Sequence, residues 1–174
     1  MNTGHTLLAV GAMMLLSVTI LGINSKSLST SNVLYNTKFG VLAVSLGTSI
    51  IEEASAKEFD LAGSSDAITS LTQLTASSGL GPASGEVYPN FNDFDDYNWL
   101  HKVDSVKINS KTFAAFIIDC RVRYVSESNP TVISTDKTWH KRIDVSVTSP
   151  SMKNANNKQD TIRLSSVYSY WHFR

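Results

Sequence analysis

Between Thr6 and Ile23 every position is apolar, glycine or a small hydroxylated residue, and Lys26 is the first formally charged side chain. The pattern then changes. Leu28, Tyr35 and Leu42 fall seven apart. Phe39, Ala43, Leu46, Ile50 and Ala54 extend the same stripe in steps of three and four, with Ser, Thr, Asn and Lys on much of the rest. The first stretch, about 18 residues without charge, predicts a helix of roughly 27 Å, close to the hydrocarbon thickness of a bilayer. The second predicts an amphipathic helix. No proline occurs from Ser25 to Phe59. The two therefore join as one helix from about His5 to Phe59, or stand as two broken between Gly22 and Ser25. Gly40 and Gly47 each cost such a helix about 1 kcal/mol relative to Ala, so packing has to support it. Glu52 and Glu53, at the unfavourable end of the helix dipole, read as a solvated face.

Beyond Leu61 the periodicity lapses into Ser, Gly, Thr and Ala, punctuated at Gly81, Pro82 and Gly85, with a short helix expected from Ser65 to Leu74. A dense polar stretch follows from Asn90 to Asp104. The oxygen ligands of Asp93, Asp95 and Asp96 are of the type that holds calcium, but the central glycine and terminal glutamate of an EF-hand loop are missing. The other reading is a polar turn pinned by Phe91, Phe94, Tyr97 and Trp99. From there alternation with period two takes over. Ile118, Cys120, Val122 and Tyr124 mark one strand, and Ile143, Val145 and Val147 a second. Ile162, Leu164 and Val167 to Trp171 mark a third, with a bulge expected at Ser165–Ser166. Val103 to Ile108 adds a fourth. Polar connectors run from Glu127 to Lys137 and from Ser149 to Asp160, each carrying a proline. The fold class is therefore α+β: a long N-terminal helix, apolar then amphipathic, on an antiparallel sheet of three to four strands with one dry face.

Composition narrows the function. Net charge is zero over 174 residues, which removes the electrostatic case for nucleic acid. Cys120 is the single cysteine, so neither an internal disulfide nor a cysteine-rich metal site can form. On the inward phase of its strand it reads as a small buried hydrophobe rather than a nucleophile. No phosphate-binding glycine loop, Gly-x-Ser-x-Gly or His-Glu-x-x-His is present, and His5, His101, His140 and His172 lack ligand spacing. The expectation is a protein that is not an enzyme and needs no cofactor, calcium at Asp93, Asp95 and Asp96 being the one candidate. The apolar start is a poor signal peptide, because MNTG has no Lys or Arg and the run is long.

A short polar leader ending in glycine, an apolar stretch directly after it, an amphipathic stem and an antiparallel sheet together resemble the type IV pilin and pseudopilin superfamily. The leader and stem cover about residues 1–60. IIEEASAKEFD, FNDFDDYN and KRIDVSVTSP resemble the minor-pilin-like branch that includes mannose-sensitive haemagglutinin pilus proteins. The resemblance implies cleavage by a prepilin peptidase between Gly4 and His5, followed by methylation of the new amine. It implies that Leu7, Leu8, Val10, Met13, Met14, Leu15, Leu16, Val18, Ile20, Leu21 and Ile23 serve first as an inner-membrane anchor and then as filament core. Small residues there (Ala9, Gly11, Ala12, Ser17, Gly22) would let helices approach closely. The family's usual phenylalanine and glutamate at the first and fifth mature positions are His5 and Ala9 here, the latter a departure shared by some tip-located members.

The expected organisation is a leader at 1–4, a membrane and filament-core half-helix at 5–25, an amphipathic half at 26–60, a loop-rich connector at 61–102 and a β domain at 103–174. The implied role is a structural subunit of a pilus-like or type II secretion-like filament on the cell surface. Its partners would be further copies, other pilin-like subunits and the prepilin peptidase, with no nucleic acid. The alternative is a single-pass anchored binding module that does not polymerise.

Overall fold

The computed structural model describes residues 3–63, 67–107, 113–154 and 158–170, with side chains given outside 24–36. The fold is α+β. Helix α1 spans Thr3–Ser55, and strands β1 (His101–Lys107), β2 (Phe113–Tyr124), β3 (His140–Lys153) and β4 (Gln159–Ser169) form one sheet. The chain divides into two compact units, Met1–Phe39 and Gly40–Arg174.

The helical backbone is continuous through Gly22 to Ser25, as the lack of proline allows, and ends at Ser55 rather than near Phe59. Past that point the carbonyls find other donors: Phe94 N–H reaches Glu58 O at 2.8 Å, and Lys141 Nζ reaches Phe59 O at 2.7 Å. In the second unit, Ala43, Ile50 and Ala54 are buried on the predicted stripe, and Leu42 and Leu46 are half-buried. Leu28 and Tyr35 lie outside the described side chains.

The sheet is an antiparallel meander in the order β1-β2-β3-β4. One face is dry. Ile118, Cys120 and Val122 of β2 pair across to Val147, Val145 and Ile143 of β3, and Phe116 and Tyr124 lie on the same face of β2, all buried. The glycine that looked costly has a packing reason. A Cβ on Gly47 would stand 2.6 Å from Leu164 Cδ1 and 3.3 Å from Val147 Cγ2, so any side chain here would force Leu164 and Val147 to shift. Gly47→Val is expected to lower stability by about 1–3 kcal/mol through overpacking, despite the better helix former. Urea unfolding of the full chain in detergent micelles measures it, and an unchanged midpoint would contradict the packing argument.

Several boundaries differ from expectation. β2 begins at Phe113, and β3 runs through Pro150 to Lys153, where a connector was expected. Ser165 and Ser166 pair in register with Asp144 and Ile143, so the bulge is not there. The irregularity lies on β3 between Thr148 and Lys153. Val167 simply faces outward, while Ser166 takes the inward position. The segment expected as a helix from Ser65 to Leu74 contributes only the 3-10 turn Leu71–Gln73, capped by Ser70, and its start lies outside the described residues. So do Ile108, Trp171, His172 and Phe173.

Candidate functional site

Two features stand out, one in each unit. In the first, Thr3–Ile23 is long and apolar enough to cross a membrane, with mean hydropathy 2.3 and none of its window buried within the chain. Gly4 and His5 sit in its first turn, exposed. Leu7, Leu8, Val10, Met13, Met14, Leu15, Leu16, Val18, Ile20, Leu21 and Ile23 are each between 51% and 75% exposed. The few polar side chains are silenced locally. Thr6 Oγ1 donates to Thr3 O at 2.9 Å, Ser17 Oγ to Met13 O at 2.9 Å and Thr19 Oγ1 to Leu16 O at 2.8 Å. With hydroxyls folded back onto carbonyls, the surface presents almost no unmet polar group to an apolar surrounding. A Cβ on Gly11 or Gly22 would meet nothing within 4 Å, so both positions are open to a neighbouring helix.

In the second unit, the aspartates singled out for calcium make contacts within the protein. Asp93 Oδ1 accepts the backbone N–H of Asp95 at 2.9 Å and of Asp96 at 3.2 Å. Asp96 Oδ2 accepts the N–H of Asn92 at 2.9 Å and of Asp93 at 3.2 Å. Asp95 Oδ1 instead takes the Lys141 ammonium at 2.5 Å. The carboxylates shape a 3-10 turn (Asp95–Tyr97) and hold a buried cation. Among the described residues, no group of three or more His, Cys, Asp or Glu side chains is placed to hold a metal ion.

Lys141 is the centre of this cluster and was not foreseen. Its side chain is fully buried. Its three N–H donors are all used: on Phe59 O at 2.7 Å, Asp60 Oδ2 at 2.8 Å and Asp95 Oδ1 at 2.5 Å. The ammonium also lies 4.5 Å from the Phe59 ring centroid and 5.4 Å from that of Tyr124. Asp60 is satisfied further by Thr75 N–H at 3.0 Å, Thr75 Oγ1 at 3.0 Å and Ala62 N–H at 3.3 Å. Glu53, expected to be solvated, accepts the Tyr97 hydroxyl at 2.8 Å and the Tyr88 hydroxyl at 3.1 Å. It ties the end of α1 to the same turn.

The electrostatics follow from burial and partners. Burial alone would raise the Asp60 carboxyl, but the Lys141 charge and hydrogen bond, with the Thr75 and Ala62 donors, hold it below the usual carboxylate range. Burial raises Asp95 in spite of Lys141. Burial, with the adjoining Asp95 and Asp96 charges, pushes Asp93 up to about 8. The contributions to stability have opposite signs. That of Asp60 is present above the unfolded value of 3.8 and lost as pH falls through its lower folded value. That of Asp93 is present below 3.8 and lost as pH rises toward about 8. Asp93→Asn keeps the acceptor for Asp95 and Asp96 N–H and removes the titration. It is expected to flatten the decline in stability between about pH 4 and pH 8; urea midpoints across that range check it, and profiles parallel to the native chain would refute it.

Cys120 offers no chemistry in the folded state: it is fully buried, and burial pushes its thiol up to about 12. His101 is exposed and bonds Asp119 at 2.7 Å, while His140 bonds Ser169 Oγ at 2.6 Å. Lys141 shares the period-two phase of Ile143, Val145 and Val147, the one signal that could have placed it inside. Comparisons of the chain with family models, with curated proteins and with solved structures find no match.

Proposed function

We propose that the chain is a non-enzymatic structural subunit of a pilus-like or secretion-type filament, in the manner of the type IV pilin and pseudopilin superfamily. The observation that carries the reading is the surface of Thr3–Ile23, long and apolar enough to cross a membrane and covered by none of the described residues. Such a surface needs either lipid or other helices around it. A filament subunit uses both in turn, standing in the inner membrane before assembly and packing against neighbouring copies afterwards. Open glycine positions and self-bonded hydroxyls suit close helix contact. The α+β unit of Gly40–Arg174 supplies the part exposed on the cell surface. Assembly of this kind is helical and heterologous, one surface of a copy fitting a different surface of the next.

Maturation is the sharpest test. Cleavage between Gly4 and His5 by a prepilin peptidase would leave the apolar helix in the mature protein. Intact mass and N-terminal sequencing of the chain from its membrane or sheared surface fraction are expected to show a start at His5, with a methyl on the amine. Gly4→Val is expected to retain the leader. A start beyond Ile23, or an unchanged mature mass in Gly4→Val, would overturn the reading. A His5 start with filaments under the electron microscope supports polymerisation; membrane retention without filaments would favour the anchored binding module.

A further inference from the structure

Lys141 and its carboxylates are arranged for more than an ion pair. Nζ stands 2.5 Å from Asp95 Oδ1 and 2.8 Å from Asp60 Oδ2, and the three side chains are 0%, 4% and 1% exposed. Phe94, Tyr97 and Tyr124 around them are fully buried, and the Phe59 and Tyr124 rings flank the nitrogen. A primary amine and a carboxyl from positions 46 residues apart are thus held in contact, away from bulk water.

The two carboxyls on Nζ differ. Asp60 uses both oxygens on donors: Oδ1 on Ala62 N–H and Thr75 Oγ1, Oδ2 on Thr75 N–H and Lys141. Such a set favours the charged form, so Asp60 stays a carboxylate, a poor electrophile but a base in contact with Nζ. Asp95 has Nζ on Oδ1, and its carboxyl shares a hydrogen bond with that of Asp93. Asp93 is buried too, and burial with the adjoining Asp95 and Asp96 charges makes it the member that keeps a proton at neutral pH. Asp95 therefore has an amine on one side and an acid on the other.

We propose that Lys141 and Asp95 condense to an intramolecular amide, Nζ to Cγ, with Asp60 as the base and Asp93 as the acid. Asp60 takes one proton from the ammonium, and the freed electron pair on Nζ attacks Asp95 Cγ. Asp93 gives its proton to the Asp95 oxygen that leaves. The Nζ–Cγ bond forms, that Cγ–O bond breaks, and the oxygen departs as water with its second proton from Asp60. The nitrogen loses one more proton, to Asp93, so both helpers return to their starting state. An ammonium and a carboxylate become a secondary amide and water; nothing is oxidised or reduced, and no co-reactant is needed. Contact within the fold supplies the concentration, since well-placed intramolecular partners react as if at about 10⁵–10⁸ M. The product also removes a buried ammonium and a buried carboxylate, each costly to hold away from water. The ion-paired cluster is the state into which the chain folds. The bond follows slowly, because the ammonium must give up a proton held between two carboxylates. It would tie the turn Asp95–Tyr97 to β3. All four side chains lie within Gly40–Arg174, so the inference stands whether or not the chain polymerises.

The test is mass spectrometry of the full chain in non-ionic detergent, followed over time at neutral pH. The native chain is expected to become lighter by one water. Its tryptic digest is expected to yield a branched peptide joining Lys141 to Asp95, uncut after Lys141. Lys141→Arg, which keeps a cation but no nucleophilic amine, should stay at full mass. Asp93→Asn, which keeps the acceptor for the Asp95 N–H, should slow the loss at least about a hundredfold. No loss of water from the native chain would overturn the proposal. So would a branch at Asp60, a loss carried by linear peptides alone, or an unchanged rate in Asp93→Asn. The native-chain result decides by itself should Lys141→Arg fail to fold.

Discussion

Replacing Lys141 by methionine is expected to cost the second unit about 3–5 kcal/mol, a large part of the stability of an ordinary domain. The side chain is fully buried and is the cation for two carboxylates that are nearly as inaccessible, Asp60 and Asp95. Removing it takes from Asp95 its ammonium partner and leaves Asp60 with only the neutral Thr75 and Ala62 donors, two buried carboxylates without a counterion. Methionine fills similar volume, so the loss reports charge rather than a cavity. The partner experiment is Lys141→Met combined with Asp60→Asn. The double variant is expected to be more stable than the sum of the single losses predicts, by about 1–3 kcal/mol, because one orphaned charge has been removed with its counterion. Urea unfolding followed by tryptophan fluorescence reads both. A cost for Lys141→Met below about 1 kcal/mol would mean that the cluster contributes no more than an exposed ion pair.

Leu16→Arg is expected to weaken partitioning of the apolar helix into a bilayer. Leu16 lies within the apolar span and is 60% exposed, none of that span's window being buried among the described residues. A charge at such a depth costs about 3 kcal/mol on insertion scales, roughly a hundredfold in the partition equilibrium. The membrane-retained fraction after alkaline washing measures it, and filaments, on the proposed function, should be lost with it. Val41→Arg, equally exposed but outside the span, serves as control and is expected to leave retention unchanged. Equal retention of Leu16→Arg would show that the apolar helix does not act as a membrane span.

The legible parts of the fold were those where one physical requirement acted alone. Ile118 to Tyr124 and Ile143 to Val147 alternate because one face of the sheet is dry, and both strands stand where the alternation put them. The helix stripe from Ala43 to Ala54 was visible for the same reason. What escaped the sequence involved two requirements in competition. Lys141 is in phase with the inward residues, yet a buried lysine is improbable until its partners are known, and these come from distant segments. Asp93, Asp95 and Asp96 carry the density of a cation loop, but their oxygens serve backbone N–H groups and an ammonium. Gly47 showed only its cost to the helix, because the close approach that requires it belongs to Val147 and Leu164. Pro150 marked a connector from Ser149 on paper, yet β3 continues through it, with the irregular stretch of pairing between Thr148 and Lys153.

The reach of Lys141 bears on the order in which the protein is made. The four strands pair with sequence neighbours, so the meander closes short loops and can form quickly. Lys141 meets Asp60 across 81 residues and Asp95 across 46. Those closures carry the larger entropic cost and belong to the end of folding. During synthesis the apolar helix emerges first, and the aspartates follow while their cation is still inside the ribosome. The same ion cluster that locks the finished domain thus closes late, after the sheet has formed.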